Sequence, residues 1–318
     1  MTPSASVVIC AYTEARWDSL AAAADAAREQ GATEVLVVAD HADALLERAA
    51  RELPGVRVIP NTGPQGLSAA RNSGIVAARG DVVVFLDDDA VPAPGWLAGL
   101  LAPYQRPQVL GVGGTARPAF ERGRPAFLAP EYDWVVGCTY RGLPEQRAQV
   151  RNVIGANMSF RREAFALTGG FRTGLGRVGT LPLGCEETEL CIRLRRCRPE
   201  AEIVFEPAAV VDHIVPRARG TWAYFVRRCW SEGRSKAVVA QHAGADRALA
   251  SERAHLARAL PRGIARAAAG TVTGDDPAGV LKAASSVIGV AIAAAGYARE
   301  RGTHRPGAGL ALPAMEAA

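Results

Sequence analysis

The chain has 318 residues, 49% of them hydrophobic, enough for one large α/β domain or two small ones with a sizeable core. Its 37 Lys and Arg against 32 Asp and Glu leave a net charge of +5, weaker than a dedicated nucleic-acid binder carries and suited to an anionic small substrate or an anionic membrane surface. The six cysteines form no C-x-x-C pair and read as free thiols in a reducing cytosol, and the opening MTPSASVVICAYTE has neither the basic region nor the long apolar stretch of a signal peptide.

From residue 7 to residue 86, apolar runs alternate with helical patterns. Residues 7–11 read as a buried strand, 20–30 as an alanine-rich helix ending at Gly31, 34–39 as a second strand and 42–52 as a second helix. Residues 56–60 give a third strand, 67–79 a third helix stopped by Gly80, and 82–86 a fourth strand. Strand–helix alternation with short connections predicts a parallel sheet with helices on its faces, and such sheets bind ligands at the carboxyl ends of their strands. Further strands are expected at 109–115 and 150–157, around a loose segment with scattered Pro, Gly and Arg. A short helix at 161–167 closes on Gly169-Gly170, and a helix at 187–197 carries an apolar stripe of Leu190, Cys191, Leu194 and Cys197. Two strands follow, at 203–205 and 210–214, and beyond Thr221 the chain reads as helical and rich in Ala and Arg. The mainly apolar stretch 283–298 is about sixteen residues, short of the ~20 that span a bilayer. It reads either as a helix packed on the domain or on a partner chain, or as one lying at a membrane surface near Arg258, Arg262, Arg266 and Lys282.

The fourth strand runs straight into three carboxylates, Val82-Val83-Val84-Phe85-Leu86-Asp87-Asp88-Asp89. Buried charges need partners. Capping the next helix is a poor account of them, because Pro92 and Pro94 set that helix start several residues on. A hard divalent cation takes carboxylate oxygens readily, and residues two apart in an extended chain point the same way. Asp87 and Asp89 can then face one ion while Asp88 points elsewhere. A D-x-D triplet alone is weak evidence for a metal; its place at a strand end in an α/β pattern strengthens it.

At this point the sequence resembles the family 2 glycosyltransferases, with the GT-A fold. Val7-Val8-Ile9-Cys10-Ala11-Tyr12-Thr13-Glu14 is similar to the family's first strand and nucleotide-binding turn, and residues 34–40 to its second strand ending in an aspartate that meets the base. Residues 61–72, NTGPQGLSAARN, resemble the N-x-G-x-x-G-x-S-x-A-R-N segment, and Asp87-Asp88-Asp89 the D-x-D motif. Gly184-Cys185-Glu186-Glu187-Thr188-Glu189-Leu190 resembles the E-D-x-[DE]-L segment, and His213 lies in a V-x-H-x-V-like context. The match covers roughly residues 5 to 240. It departs from the family at Ala39-Asp40-His41-Ala42, where the usual Asp-Asp-Gly-Ser is missing, and at Glu187, where the family has aspartate.

The resemblance implies a Rossmann-like, mostly parallel central sheet flanked by helices. Residues 1–115 would form a nucleotide-sugar half, 116–240 the acceptor half of the same domain, and 241–318 a helical extension with a flexible tail. It implies donor binding by Ala11, Tyr12, Glu14 and Asp40, joined by Arg71, Asp87 and Asp88. A Mn2+ or Mg2+ ion would be held by Asp89 with Asp87 and His213, and Glu187 or its neighbour Glu186 would be the general base. Arg217, Arg219 and Arg234 would clamp a phosphate or the acceptor. The implied reaction is inverting transfer from a nucleotide sugar, UDP by family frequency, to a hydroxyl of a lipid-linked glycan or secondary metabolite. The implied location is the cytoplasm, with peripheral contact at the inner face of the plasma membrane, and no nucleic-acid partner.

Blander readings remain beside these. Acidic residues cap helices, so Glu186 has that reading too. His213 reads equally as a hydrogen-bonded structural histidine and Arg71 as a surface arginine. The basic residues from Arg217 to Lys236 read also as a solvated helix face, and the aromatics among them as its packed side. At the level of function, the alternatives are a nucleotide-sugar-binding protein without turnover and a Mg2+-dependent phosphoryl or nucleotidyl transferase. No Walker-type G-x-x-x-x-G-K-[ST] loop is present to favour a P-loop enzyme.

Overall fold

Uninterrupted runs of Val, Ile and Leu mark strands covered on both faces, and the front of the chain is built from them. In a computed structural model, which describes residues 2–177, 184–244 and 249–303, three such strands and a shorter, part-exposed one, β3, lie parallel in the order β3-β2-β1-β4. They are β1 (Ala5–Ala11), β2 (Glu34–Ala39), β3 (Arg57–Pro60) and β4 (Val82–Asp87). The crossovers are the helices α1 (Trp17–Glu29), α2 (Asp43–Glu52) and α3 (Leu67–Ala77). Alternate residues of each strand serve different layers. Val7 and Ile9 pack with Leu20 and Leu97, whereas Val8 and Phe85 pack with Phe165, Leu190 and Leu194.

The next part of the chain extends this sheet. It comprises β5 (Ala90–Pro92), α4 (Trp96–Leu101), β6 (Val109–Phe120), β7 (Ala148–Gln149), β8 (Asn157–Arg161), α5 (Arg162–Thr168), α6 (Glu186–Cys197) and β9 (Glu202–Val215). β8 sits antiparallel between β4 and β6, β9 runs parallel to β6, and β5 and β7 are antiparallel to β9. In this 9-stranded sheet, β3, β2, β1, β4, β6 and β9 share one direction, so the expected mostly parallel sheet with flanking helices is present.

Several expected elements differ, among them β6, which runs on to Phe120 past the expected end at 115. The strand expected over 150–157 is irregular until Asn157, where β8 begins. Val153 wedges against Gly113, where a Cβ could not fit, and the Gly155 carbonyl turns to accept from Arg71 at 3.1 Å. Asn157 then anchors the strand: its amide donates to Thr115 O (3.0 Å) and Ala209 O (2.9 Å) and accepts from the Trp96 indole at 2.8 Å. The two strands expected at 203–205 and 210–214 are one, β9, broken only by a register shift in which Gly114 faces Glu206 and Thr115 faces Val210. The helix expected from 187 starts one residue earlier, at Glu186.

After β9 come α7 (Trp222–Ala243), α8 (Ala250–Ala254), a π-helical turn at His255–Ala259, α9 (Leu260–Thr273) and α10 (Gly279–Thr303), and residues of α7 and α10 line the cavity at the strand ends. Two glycines let α7 and α10 touch backbone to backbone. A Cβ on Gly233 would overlap the Ala293 carbonyl, and one on Gly296 the Trp230 carbonyl. The Tyr132 hydroxyl donates to Ser286 O at 2.6 Å and ties α10 to the rest of the chain. The apolar stretch expected to be too short for a bilayer belongs to a longer helix: Gly279–Gly302 is long and apolar enough to cross a membrane by length and composition, and 28% of its apolar 18-residue window is buried. Val280, Leu281, Val287 and Ile288 remain exposed. The tail expected to be flexible, 304–318, lies outside the described residues.

The glycine contact gives a first test. Gly233→Val forces a branched side chain into a carbonyl oxygen that cannot step aside, and overpacking of this kind costs about 1–3 kcal/mol. Urea denaturation should show a lower midpoint. Gly302→Ala, where nothing lies within 4 Å of the added carbon, should not lower it.

Candidate active site

The carboxylate triplet is positioned by strand register. β4 delivers Asp87, the chain turns, and β5 pairs with β9 so that Ala90 faces His213 and the Ile214 amide donates to Asp89 O at 2.7 Å. His213 Nε2 consequently lies 3.2 Å from Asp89 Oδ1. Ligand atoms of Asp87, Asp89 and His213 all fall within 4.8 Å of one another. Asp88 serves a different partner: its Oδ1 accepts from Arg16 at 2.6 Å, and its Oδ2 is buried without a hydrogen-bond partner among the described residues. Arg16 also lies 3.2 Å from Asp89 Oδ2, as does Arg219.

Burial pushes the Asp88 carboxyl up to about 7, with Arg16 pulling against it. Burial acts on Asp89 in the same sense, but His213, Arg219 and Arg16 outweigh it and hold Asp89 below the usual carboxylate range. Burial lowers His213, and the Asp89 charge only partly offsets this. Two carboxylates and a mainly neutral imidazole are donors that a divalent cation of the Mn2+ type accepts, and the nitrogen makes the set less suited to Mg2+. His213 Nδ1 is buried without a hydrogen-bond partner among the described residues.

The segment 61–72 is a scaffold for this site. Asn61 donates to Asp40 Oδ1 (2.7 Å) and Pro64 O (3.0 Å), and its own oxygen accepts from the Gly63 amide and the Ser73 hydroxyl, both at 2.9 Å. Gly66, at φ 137°, donates its amide to Asp40 Oδ2 at 2.9 Å. Asp40 is thus largely occupied in shaping the loop, although it lines the cavity. Ser68 donates to Leu175 O at 2.6 Å, and Asn72 exchanges two 2.8 Å hydrogen bonds with the backbone of Phe171. Between them Arg71, 2% exposed, reaches across the site. It donates to Glu186 Oε1 at 2.7 Å and lies 3.4 Å from Asp87 Oδ1, above the rings of Phe85 and Phe171. The surface reading of Arg71 falls.

The second acidic pair opens α6. Cys185 precedes it at φ 72°, a left-handed conformation that costs a side-chain-bearing residue about 1 kcal/mol or more. That turn aims Glu186 at Arg71 and leaves Glu187 facing the cavity. Glu187 accepts from the Thr188 hydroxyl at 3.3 Å. Burial and the charge of Glu186 push its carboxyl up to about 8, with Lys236 opposing. Both acidic groups, with the triplet, line a cavity of about 550 Å³ that runs from Tyr12 and Asp40 to Val290 and Tyr297 on α10.

Comparison with known proteins settles the family. Residues 6–168 match the model described as glycosyl transferase family 2. Over 240 residues the chain is 31% identical to the glucosyl-dolichyl phosphate glucuronosyltransferase of Haloferax volcanii, spanning 74% of this chain and 76% of that protein. The chain belongs to glycosyltransferase family 2. The fold of this glycosyltransferase is similar to that of a mannosyltransferase of Pyrobaculum calidifontis solved with GDP-Man and Mn2+, at a TM-score of 0.58 and 22% identity, over 95% of this chain and 88% of that one. It is also similar to GalNAc-T7 solved with UDP, GalNAc and Mn2+, at a TM-score of 0.52 and 19% identity, over 72% of this chain and 47% of that one. Both likenesses speak for the GT-A fold.

Of the residues expected at the site of this glycosyltransferase, Ala11, Tyr12, Asp40, Arg71, the three aspartates, Glu186, Glu187, His213 and Arg219 line the one cavity. Three do not. Glu14 pairs with Arg48 at 3.3 Å on the surface. Arg217 is exposed, with its amide donating to Glu121 at 2.9 Å, and Arg234 pairs with Glu300 of α10 at 2.6 Å. Arg16 was not foreseen, although a basic residue just after the first strand's turn is a readable signal for an anion site. The chain Arg228–Glu232–Lys236–Glu252–Arg151, with separations of 2.8, 3.4, 2.7 and 2.6 Å, was not foreseen either. Arg228, Glu232 and Lys236 stand at i, i+4 spacing on α7, a signal the sequence does carry, whereas Glu252 and Arg151 join them only through the fold.

Proposed function

We propose that this glycosyltransferase moves a sugar from a nucleotide-sugar donor, UDP-linked by default, to a hydroxyl of a lipid-linked or small-molecule acceptor, inverting the anomeric carbon. The observation that carries the reading is that the Asp87–Asp89–His213 group and Glu187 share one cavity. Mn2+, or Mg2+, held by Asp89, Asp87 and His213, would supply Lewis-acid neutralisation of the charge that develops on the departing diphosphate.

The chain's own residues have the following parts. Ala11, Tyr12 and Asp40 form the wall for the nucleoside, and Arg16 and Arg219, now paired with the aspartates, lie within reach of a diphosphate. Asp88 keeps Arg16 in place. Glu187 takes the proton of the acceptor hydroxyl, whose oxygen forms the new bond as the anomeric carbon–oxygen bond to the diphosphate breaks and the nucleoside diphosphate leaves with the electron pair. Glu186 is held by Arg71 at 2.7 Å and takes no part in the proton transfer. The apolar residues Val290 and Tyr297 in the far half of the cavity favour a lipid-linked acceptor. The exposed Val280, Leu281, Val287 and Ile288 of α10 favour peripheral contact with the inner face of the plasma membrane.

A thermal-shift panel of UDP-, GDP- and dTDP-sugars with and without Mn2+ tests the donor. A ligand that binds only the native state raises its melting temperature, so a UDP-sugar should do so when Mn2+ is present. No response to any of them would sink the reading, and release of pyrophosphate in place of nucleoside diphosphate would redirect it to nucleotidyl transfer. Glu187→Gln should keep the donor response and lose transfer by about 10²-fold. The base acts deprotonated, and its carboxyl is pushed up to about 8, so kcat/KM should rise with pH until about 8 and flatten above it. A flat profile from pH 6 to 9 would move the base elsewhere.

A further inference from the structure

α6 starts from a backbone conformation that its own sequence does not favour, and α7 supplies what holds it. Cys185 stands at φ 72°, where a residue with a side chain is strained and persists only if its surroundings over-determine it. Three contacts from α7 meet this turn. The Cys185 thiol donates to Glu232 Oε1 at 3.4 Å, the Gly184 amide donates to the Ser235 hydroxyl at 3.3 Å, and Cys185 shares a small apolar cluster with Val239, Leu175 and Ile192. Residues 232, 235 and 239 stand at i, i+3 and i+7, on one face of α7. Burial pushes the Cys185 thiol well above its usual range, so it remains the donor.

Glu232 is itself fixed. It accepts from Arg228 at 2.8 Å and lies 3.4 Å from Lys236 Nζ. Lys236 in turn lies 2.7 Å from Glu252 of α8, which Arg151 holds at 2.6 Å. Burial acts to raise the Glu232 carboxyl, but Lys236 and Arg228 outweigh it and hold it below the usual carboxylate range. Charges withdrawn from water are costly unless each is paired, and the reaction proposed above gives this chain of pairs no part. Glu232 and Lys236 line the same cavity as Glu187. The groups that face Glu187 are Glu186 on its own helix, Arg71 of α3, Glu232 and Lys236 of α7, and the thiols of Cys185 and Cys191. After burial and the charge of Glu186, Lys236 favours the ionised form of Glu187 and Glu232 opposes it.

We propose that Glu232 is a positioning residue for Glu187: it holds the left-handed turn at Cys185 from which α6 starts, and with Lys236 it balances the charge around the Glu187 side chain. This rests on the reading of Glu187 as the base and adds to it the group that places that base.

The test needs no substrate. The full-length protein, labelled with 13C at the glutamate side-chain carboxyl, is titrated through the Glu187 midpoint expected at about 8, and the Glu187 resonance is assigned by its loss in Glu187→Gln. Glu232→Gln removes a negative charge, so the midpoint should move to lower pH; Lys236→Met removes a positive charge, so it should move to higher pH. A residue that only supports the fold moves neither. The hold on the turn is read from urea denaturation of a double-mutant cycle. Glycine takes φ 72° without strain and has no thiol, so Glu232→Gln should lower the urea midpoint less in a Cys185→Gly background than in wild type. Should Glu232→Gln not fold, Glu232→Gln with Arg228→Gln replaces it in the cycle, because no arginine is then left unmatched. Lys236→Met, which leaves each glutamate its arginine, then carries the titration. A Glu187 midpoint that stays in place or moves the other way, or an equal loss of urea midpoint in both backgrounds, overturns the proposal. Neither measurement involves donor, metal or acceptor, so its failure is distinct from a failure of Glu187→Gln to slow transfer, which strikes the base reading.

Discussion

Asp89→Asn should abolish the Mn2+-dependent response to nucleotide sugar and lower transfer by roughly 10³-fold, the loss expected when a preorganised electrostatic group at a reacting centre is removed. The substitution keeps the shape of the side chain and removes its charge. Asp89 is the point where His213, Arg16 and Arg219 converge, at 3.2 Å each. These cationic and polar groups hold its carboxyl below the usual range against burial. Its folded-state pKa is therefore lowered, and its charge contributes stability above the unfolded-state value, a contribution lost as pH falls through the folded-state value. Wild type and Asp89→Asn should accordingly differ in melting temperature near neutral pH and converge in acid. The loss of the metal response must be separated from this effect. If the variant melts cooperatively yet still responds fully to donor plus Mn2+, the ion is held elsewhere in the protein.

The part of the fold that could be read from the sequence is the part whose signals are local. β1, β2 and β4 are written in uninterrupted apolar runs, and the helices between them in three- and four-residue spacing, so their positions follow without knowledge of the sheet. Residues 150–156 misled because Val150, Val153 and Ile154 have strand composition, whereas their geometry is set by distant partners: Gly113 receives Val153, and Arg71 receives the Gly155 carbonyl. The break in β9 misled in the opposite sense. Pro207 and the alanines after it look like a strand end, but β6 continues past them and keeps the strand paired through a register shift.

The candidate site divides in the same way. Asp87 to Asp89 announce themselves by three charges at a strand end. That Glu186 and Glu187 have different surroundings could not be read from two adjacent identical residues. Both line the cavity, but Cys185 in a left-handed conformation starts the helix so that Glu186 meets Arg71 while Glu187 meets the Thr188 hydroxyl. Arg234 shows the limit of counting charges in a window: it stands on the same helix as Arg228 and Lys236, yet it turns away from the cavity to meet Glu300 on α10.

Arg71→Met should be the most destabilising single change at the site. The guanidinium is buried to 2% and holds Glu186, whose side chain is 6% exposed, at 2.7 Å. Removing one partner of a buried pair leaves the other charge unmatched and costs about 3–5 kcal/mol. Arg71→Lys should recover only part of this, because one ammonium cannot span Glu186, Asp87 and the Gly155 carbonyl as a planar guanidinium does. The decisive measurement is the double variant Arg71→Met with Glu186→Gln. Neutralising the stranded carboxylate removes the reason for the penalty, so the pair should be more stable than Arg71→Met alone, with a coupling energy of about 1–3 kcal/mol by urea denaturation. Transfer should stay low in the double variant despite the recovered stability, because Asp87, 3.4 Å from Arg71, has lost the group that fixes it beside Asp89. If Arg71→Met costs the same in the Glu186→Gln background as in wild type, the two residues do not act as a pair. Arg71 would then serve Asp87 and the backbone alone, and the link it makes between the donor carboxylates and the head of α6 would have no energetic content.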